Sequence, residues 1–236
     1  MTSNTTLAEL AATSLSAVRV LEEHGFDYCC GGQQPFEQAC LAKGLQPESI
    51  LREIGQAASA SAGSRDWQAA PLEELVQHII DTHHAYLKLD LPVLQSRLEK
   101  VAAVHGSRDP ERLPRLANVF TALRSELEMH LRKEEAILFP FIVQYSRAEL
   151  RNQPVPRAPF GSIANPIAMM EREHSGAGEA LEEIRSLTNN FDPPWYACHT
   201  VRALYEGLKV LEADLHVHIH LENNILFPRA VACENR

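Results

Sequence analysis

The stretch His130-Leu-Arg-Lys-Glu134-Glu-Ala-Ile-Leu-Phe-Pro140 returns 88 residues later as His218-Ile-His-Leu-Glu222-Asn-Asn-Ile-Leu-Phe-Pro228. Aligned from Glu126 and Asp214, fifteen positions hold seven identities, and the two polar ones are His130/His218 and Glu134/Glu222. A His and a Glu four apart share one face of an α-helix and can reach a common point. The apolar register makes that face a core face. Leu116, Phe120, Leu123, Leu127, His130, Glu134, Ile137 and Phe141 advance in steps of four and three, and Leu204, Leu208, Leu211, Leu215, His218, Glu222 and Ile225 do the same. A polar group buried on such a line costs a few kcal/mol, and a carboxylate more, unless it is paired or bound to a metal.

Two further segments carry one core histidine each. After Pro71 the stripe Leu72, Val76, Ile80, His84, Leu87, Leu91, Leu94, Leu98, Val101, His105 contains His84, with Pro92 expected to kink the helix and His83 as the rival imidazole beside the line. Asn165-Pro166 is a cap followed by a first-turn proline, and the stripe behind it, Ile167, Met170, His174, Ala177, Leu181, Ile184, Leu187, contains His174. Asp109 before Pro110 starts the second segment, and the fourth runs from about Trp195, bent at Pro228. Four long helices in two consecutive hairpins predict an all-α, up-down four-helix bundle over residues 71–236. Each hairpin supplies one His and then a His-x-x-x-Glu pair, so the implied site has two equivalent halves.

Four imidazoles and two carboxylates without a thiolate favour iron, manganese or zinc over copper(I). Six donors are too many for one tetrahedral ion. They suit two ions, each with two His and with both carboxylates bridging, which leaves positions open for oxygen-type or diatomic ligands. Iron is the reading taken, because open His/carboxylate sites support redox and small-molecule chemistry. The competing reading is a polar network of the six side chains bonded to one another, which does not explain the duplication. Glu126 and Asp214, each four before a ligand His, read as surface i, i+4 pairs in preference to partners that orient the imidazoles. Glu171-x-x-His174 has ferritin-like spacing but occurs once. His216 and His220 flank His218 and are expected to face solvent, while His105 suits a capping or access-path role.

Residues 1–58 read as a small helical domain: a helix from Thr13 or Ser14 to near His24 closed by Gly25, a helix from Pro35 stopped by Gly44, and one over 47–54. Cys29 and Cys30 lie in its glycine-flanked loop. Adjacent thiols do not easily form an unstrained disulfide, so the pair reads as a surface thiol site for metal, cluster or redox exchange, against the alternative of two cysteines packed in a turn. The Ala/Ser/Gly-rich stretch 59–70 reads as a linker, with a coil span of about 16 to 23 Å that would let the thiols swing. Five cysteines without framework spacing and an N-terminus lacking signal-peptide features suggest a reducing cytoplasm. A net charge of −9 without basic clusters argues against nucleic acid, and no apolar run approaches the roughly 20 residues that cross a membrane. The sequence leaves room for a homodimer.

His84, His130-x-x-x-Glu134, His174 and His218-x-x-x-Glu222, with their Leu-Phe-Pro tails, and Asp27-Tyr-Cys-Cys-Gly-Gly32 together resemble the repair-of-iron-centres family, di-iron hemerythrin-like proteins with a Cys-Cys domain. That resemblance covers nearly the whole chain. It implies that the six residues ligate two non-haem irons bridged by both Glu and by an oxo or hydroxo group. It implies a stress-response function, restoring iron-sulfur clusters after nitrosative or oxidative damage by supplying iron, with damaged cluster proteins as partners and nitric oxide or oxygen as small ligands. Nitric oxide reduction, or an oxygen or nitric oxide carrier or sensor, is the alternative, and the Cys-Cys domain weighs against a pure carrier.

Overall fold

The computed structural model describes residues 5–60, 65–154, 156 and 158–234, and among them there is helix and no strand. Among the described residues eleven α-helices are joined at three places by π-helical turns: α1 (Leu7–Ala11), α2 (Leu15–Glu23), α3 (Phe36–Ala42), α4 (Pro47–Ala60), α5 (Leu72–Ile79), α6 (Ala85–His105), α7 (Arg112–Lys133), α8 (Phe139–Leu150), α9 (Ala164–Leu187), α10 (His199–Leu221) and α11 (Phe227–Glu234). The chain divides into two compact units, one of residues 78–140 and 165–215, the other of 1–77, 141–164 and 216–236.

The first unit is a four-helix bundle. Short connections after α6 and after α9 make each pair of helices antiparallel, and the shared core takes Leu87, Leu91, Leu94 and Leu98 from α6, Leu116, Phe120 and Leu123 from α7, Ala177 and Leu181 from α9, and Leu204, Leu208 and Leu211 from α10. These are the expected stripes. Burial of each such Leu or Phe contributes about 1.5–3 kcal/mol. α6 continues unbroken through Pro92, so one lost backbone bond is absorbed without ending the helix. α7 starts after Asp109, whose Oδ1 accepts the Arg112 N–H. α9 begins at Ala164, and α10 begins at His199, four residues after the expected start.

The π turns cover Ile80–His84, Glu134–Leu138 and Glu222–Leu226. Each holds an extra residue in its turn, which rotates the next stretch of helix relative to an α-helical continuation. The strict α stripe therefore fails beyond Glu134. Ile137 is 47% exposed and Phe141 only half-buried, while Leu138, Ile142 and Tyr145 take the core positions. In the first long helix Ile79 is buried in place of Ile80, and His83 and His84 are both buried.

The second unit is built around the N-terminal helices. Thr6 caps α1 in a reciprocal box with Glu9, Ser14 caps α2 through the Ala17 N–H, and Gly25 and Gly44 close α2 and α3 with φ of 65° and 68°. Leu10, Leu21, Phe26, Tyr28, Phe36, Cys40 and Ile50 form a core that also includes Ile219 of α10. The stretch read as a linker is helical through Ala60, its residues 61–64 lie outside the described residues, and Trp67 and Ala70 offer their carbonyls to the Arg229 guanidinium at 2.7 Å. No described helix is long and apolar enough to cross a membrane.

Candidate metal centre

Four of the six expected ligands lie in the bundle unit. Glu134 is fully buried at the start of its π turn, and its Oε2 lies 3.4 Å from His84 Nε2 and 3.3 Å from His130 Nε2. His174 Nε2 stands 3.0 Å from His130 Nε2, with the rings tilted at 4.7 Å between centroids. Donor atoms of His130, Glu134 and His174 lie within 4.8 Å of one another. The other two ligands lie in the second unit, where His218 Nε2 is 3.1 Å from Glu222 Oε1, both groups buried.

Carboxylates beside the bundle set the histidine tautomers. His84 Nδ1–H donates to Glu135 Oε1 at 2.7 Å, and Lys88 Nζ holds the same carboxylate at 2.6 and 2.8 Å. His130 Nδ1–H donates to Glu173 Oε2 at 2.8 Å, and Glu173 is gripped in turn by Lys133. A carboxylate only accepts, so each Nδ1 carries a proton, and Nε2, the atom turned toward Glu134, is the donor atom that a metal would take. Burial pushes the Glu135 carboxyl up, but Lys88 and His84 outweigh it and hold it below the usual range; Lys133 and His130 do the same for Glu173. Phe139 stacks on His84 at 5.5 Å and shields the ring.

This donor set fits a metal ion. Two Nε2 atoms 3.0 Å apart repel unless a proton or a cation lies between them, and a buried carboxylate facing two imidazole lone pairs raises the same demand. Carboxylate–histidine pairs of this kind orient ligands at metal sites, and loss of one lowers metal affinity about 10–100-fold. Glu135→Gln and Glu173→Gln are each expected to weaken metal binding by that factor with little change in helix content. Competition against a calibrated chelator reads it, and unchanged affinity in both variants would remove the orienting role.

Neither Glu135 nor Glu173 was among the expected site residues. Their sequence signals are adjacency, Glu135 following Glu134 and Glu173 preceding His174. Glu126 is exposed, whereas the half-buried Asp214 accepts from the buried His83 Nδ1 at 2.8 Å, a contact between helices and not a surface i, i+4 pair. His83 itself stands edge-on to His78. Glu171 is exposed.

The Cys-Cys loop and the end of α10 share the second unit. Asp27 accepts the Cys30 N–H at 2.9 Å and the Gly31 N–H at 2.8 Å, folding the loop over its own carboxylate. A Cβ at Gly32 would come within 2.5 Å of the Tyr28 carbonyl, which explains the second glycine. Asn224 and Asn223 donate side-chain N–H groups to the carbonyls of Tyr28 (2.9 Å) and Cys29 (3.2 Å). Cys29 is buried, not at the surface as expected, and Cys30 is partly exposed. The hydrogen bond to Cys30, then burial, pushes the Cys29 thiol up. Both thiols and the Asp27 carboxylate lie within 4.8 Å of one another. His220 is also buried, contrary to expectation: Tyr28 meets it edge-on at 5.6 Å, Asn224 bonds its Nδ1, and burial lowers it to about 4. His216 is partly buried and faces Glu22 at 3.5 Å.

A family model described as Hemerythrin HHE cation binding domain matches residues 75–230, and one described as a domain of unknown function, DUF542, matches residues 3–58. Iron-sulfur cluster repair protein YtfE of Citrobacter koseri is 42% identical over 230 residues, 97% of each chain. The proteins of that name from Escherichia coli O157:H7, 42% over 230 residues, and from Pectobacterium atrosepticum, 39% over 229 residues, also cover 97% of each chain.

Proposed function

The chain belongs to the family of iron-sulfur cluster repair proteins with a hemerythrin HHE cation-binding domain, and from that premise we propose that it repairs damaged iron-sulfur clusters using two non-haem iron ions. His84, His130, Glu134, His174, His218 and Glu222 are the residues that would hold the two ions. The observation that carries this is the convergence of His84 and His130 Nε2 on the fully buried Glu134, on a chain that repeats His-x-x-x-Glu. Bound there, iron supplies a redox-active ion with exchangeable positions.

The protein's own groups have separate tasks. Glu135 and Glu173 hold the imidazole tautomers, Lys88 and Lys133 keep those carboxylates ionised, and Phe139 excludes water from His84. The proposed domain division is residues 1–58, 59–70 and 71–236, with the cytoplasm as the compartment. Cys29, Cys30 and Asp27 form a soft and hard donor set suited to iron in transit, which is the transfer role we assign to the thiols. The clients are proteins whose clusters have lost iron to nitric oxide or oxidants.

Mixing protein loaded with labelled iron and a cluster enzyme inactivated by nitric oxide tests this. Recovery of activity with label entering the client is expected, and recovery without label transfer would contradict iron donation. The double change Cys29→Ser with Cys30→Ser is expected to slow recovery several-fold while leaving iron content and the optical spectrum intact. Parent-rate repair would make the pair structural, and iron loss would tie it to the centre.

A further inference from the structure

Cys198 lies immediately before α10, exposed, with its Sγ 3.4 Å from His105 Nε2. His105 closes α6 with its ring 7% exposed and stacked on Tyr196 at 5.4 Å, and its Nδ1 has no hydrogen-bond partner among the described residues. Tyr196 is held in turn by its hydroxyl donating to Asp109 Oδ2 at 3.1 Å. A buried ring nitrogen without a partner costs about 1–3 kcal/mol, so the fold does not favour a histidine here on packing grounds. Among the described residues, the polar group that the ring addresses is an exposed thiol. The first turn of a 23-residue helix adds N–H groups and dipole that favour a thiolate. The Val201 N–H, then the His105 ring, hold the Cys198 thiol down to about 7. The pair is remote from the ligands on its own helix, since α6 rises about 31 Å over its 21 residues between His84 and its end.

We propose that Cys198, with His105 as its proton partner, is a second reactive site on this chain, a thiol that takes hydrogen peroxide. The thiol proton passes to His105 Nε2. Sγ then attacks one peroxide oxygen, so an S–O bond forms as the O–O bond breaks, and sulfur gives two electrons to the peroxide. The leaving hydroxide takes the proton from the imidazolium. The products are the Cys198 sulfenic acid, water and neutral His105.

The test treats the full chain at pH 7 with hydrogen peroxide and dimedone and reads each cysteine peptide by mass spectrometry. About half thiolate in place of about 3% raises the reactive fraction roughly 16-fold, and the lower nucleophilicity of a more acidic thiol returns roughly 5-fold of that. Cys198 is therefore expected to label about threefold faster in the folded chain than in the urea-unfolded chain. His105→Phe, which keeps a ring against Tyr196, is expected to lose that advantage, and His105→Asn likewise. Met129 and Met169, both exposed, are expected to stay unoxidised, which separates thiolate attack from iron-driven radical damage. Equal rates in folded and unfolded chain, parent-like rates in a folded His105 variant, or methionine oxidation in parallel would each overturn the proposal. Should both variants fail to fold, the folded-to-unfolded ratio of the parent decides alone.

Discussion

Glu134→Leu is expected to remove iron from the protein while making the iron-free chain more stable. Glu134 is fully buried, and each imidazole that faces it keeps a carboxylate of its own, Glu135 for His84 and Glu173 for His130, so no uncompensated charge remains when it goes. Exchange of a buried ionic group for a well-packed apolar one of similar size is often neutral or stabilising, by about 1–4 kcal/mol. Iron binding should respond in the opposite sense, because Glu134 is proposed to serve both ions. Iron content is expected to fall below one ion per chain, with magnetic coupling lost from what remains. Glu222→Leu should behave alike. Iron analysis with chemical denaturation of the iron-free proteins gives both signs. A variant that keeps its iron, or an iron-free form destabilised by several kcal/mol, would mean that Glu134 serves the fold.

Tyr28→Ala is expected to cost about 3–5 kcal/mol and Tyr28→Phe to cost nothing or to stabilise. The ring is 1% exposed, packed in the N-terminal core and edge-on to His216 and His220. Truncation therefore opens a cavity between the Cys-Cys loop and the end of α10. The hydroxyl has no hydrogen-bond partner among the described residues, and burial, then Glu22, pushes its pKa up. Removing only that oxygen relieves a penalty of about 1–3 kcal/mol. Urea unfolding of the two variants checks this, and a Phe variant as unstable as the Ala variant would show that the hydroxyl makes a contact of its own.

The bundle was legible because its stripes are long and their polar interruptions repeat. Leu116 to Glu134 and Leu204 to Glu222 lie on the core line as their spacing predicts. Legibility ended at the π turns, where Ile137 rotates outward and His83 inward, since a period of 3.6 assumes no extra residue in the turn. The partners of the imidazoles were hidden for a different reason. Glu173 reaches His130 from another helix, and Asp214 reaches His83 across 131 positions, pairings that depend on which helices become neighbours. Its two-residue spacing from His218 puts His220 on another face of α10, which sequence alone reads as solvent-facing, whereas the end of the helix carries Ile219 into the N-terminal core and puts His220 against Tyr28. The same packing means that deleting residues 1–65 would uncover Ile219, so the full chain is the proper material for metal counting.

Mössbauer spectroscopy of the full-length protein loaded with iron-57, alongside protein and iron determination, reads both the number of irons and whether they are coupled. About two irons per chain are expected in a magnetically coupled pair, with the coupling lost in Glu134→Leu and in Glu222→Leu. One iron per chain, or two uncoupled irons whose spectra the Glu changes leave untouched, would contradict it.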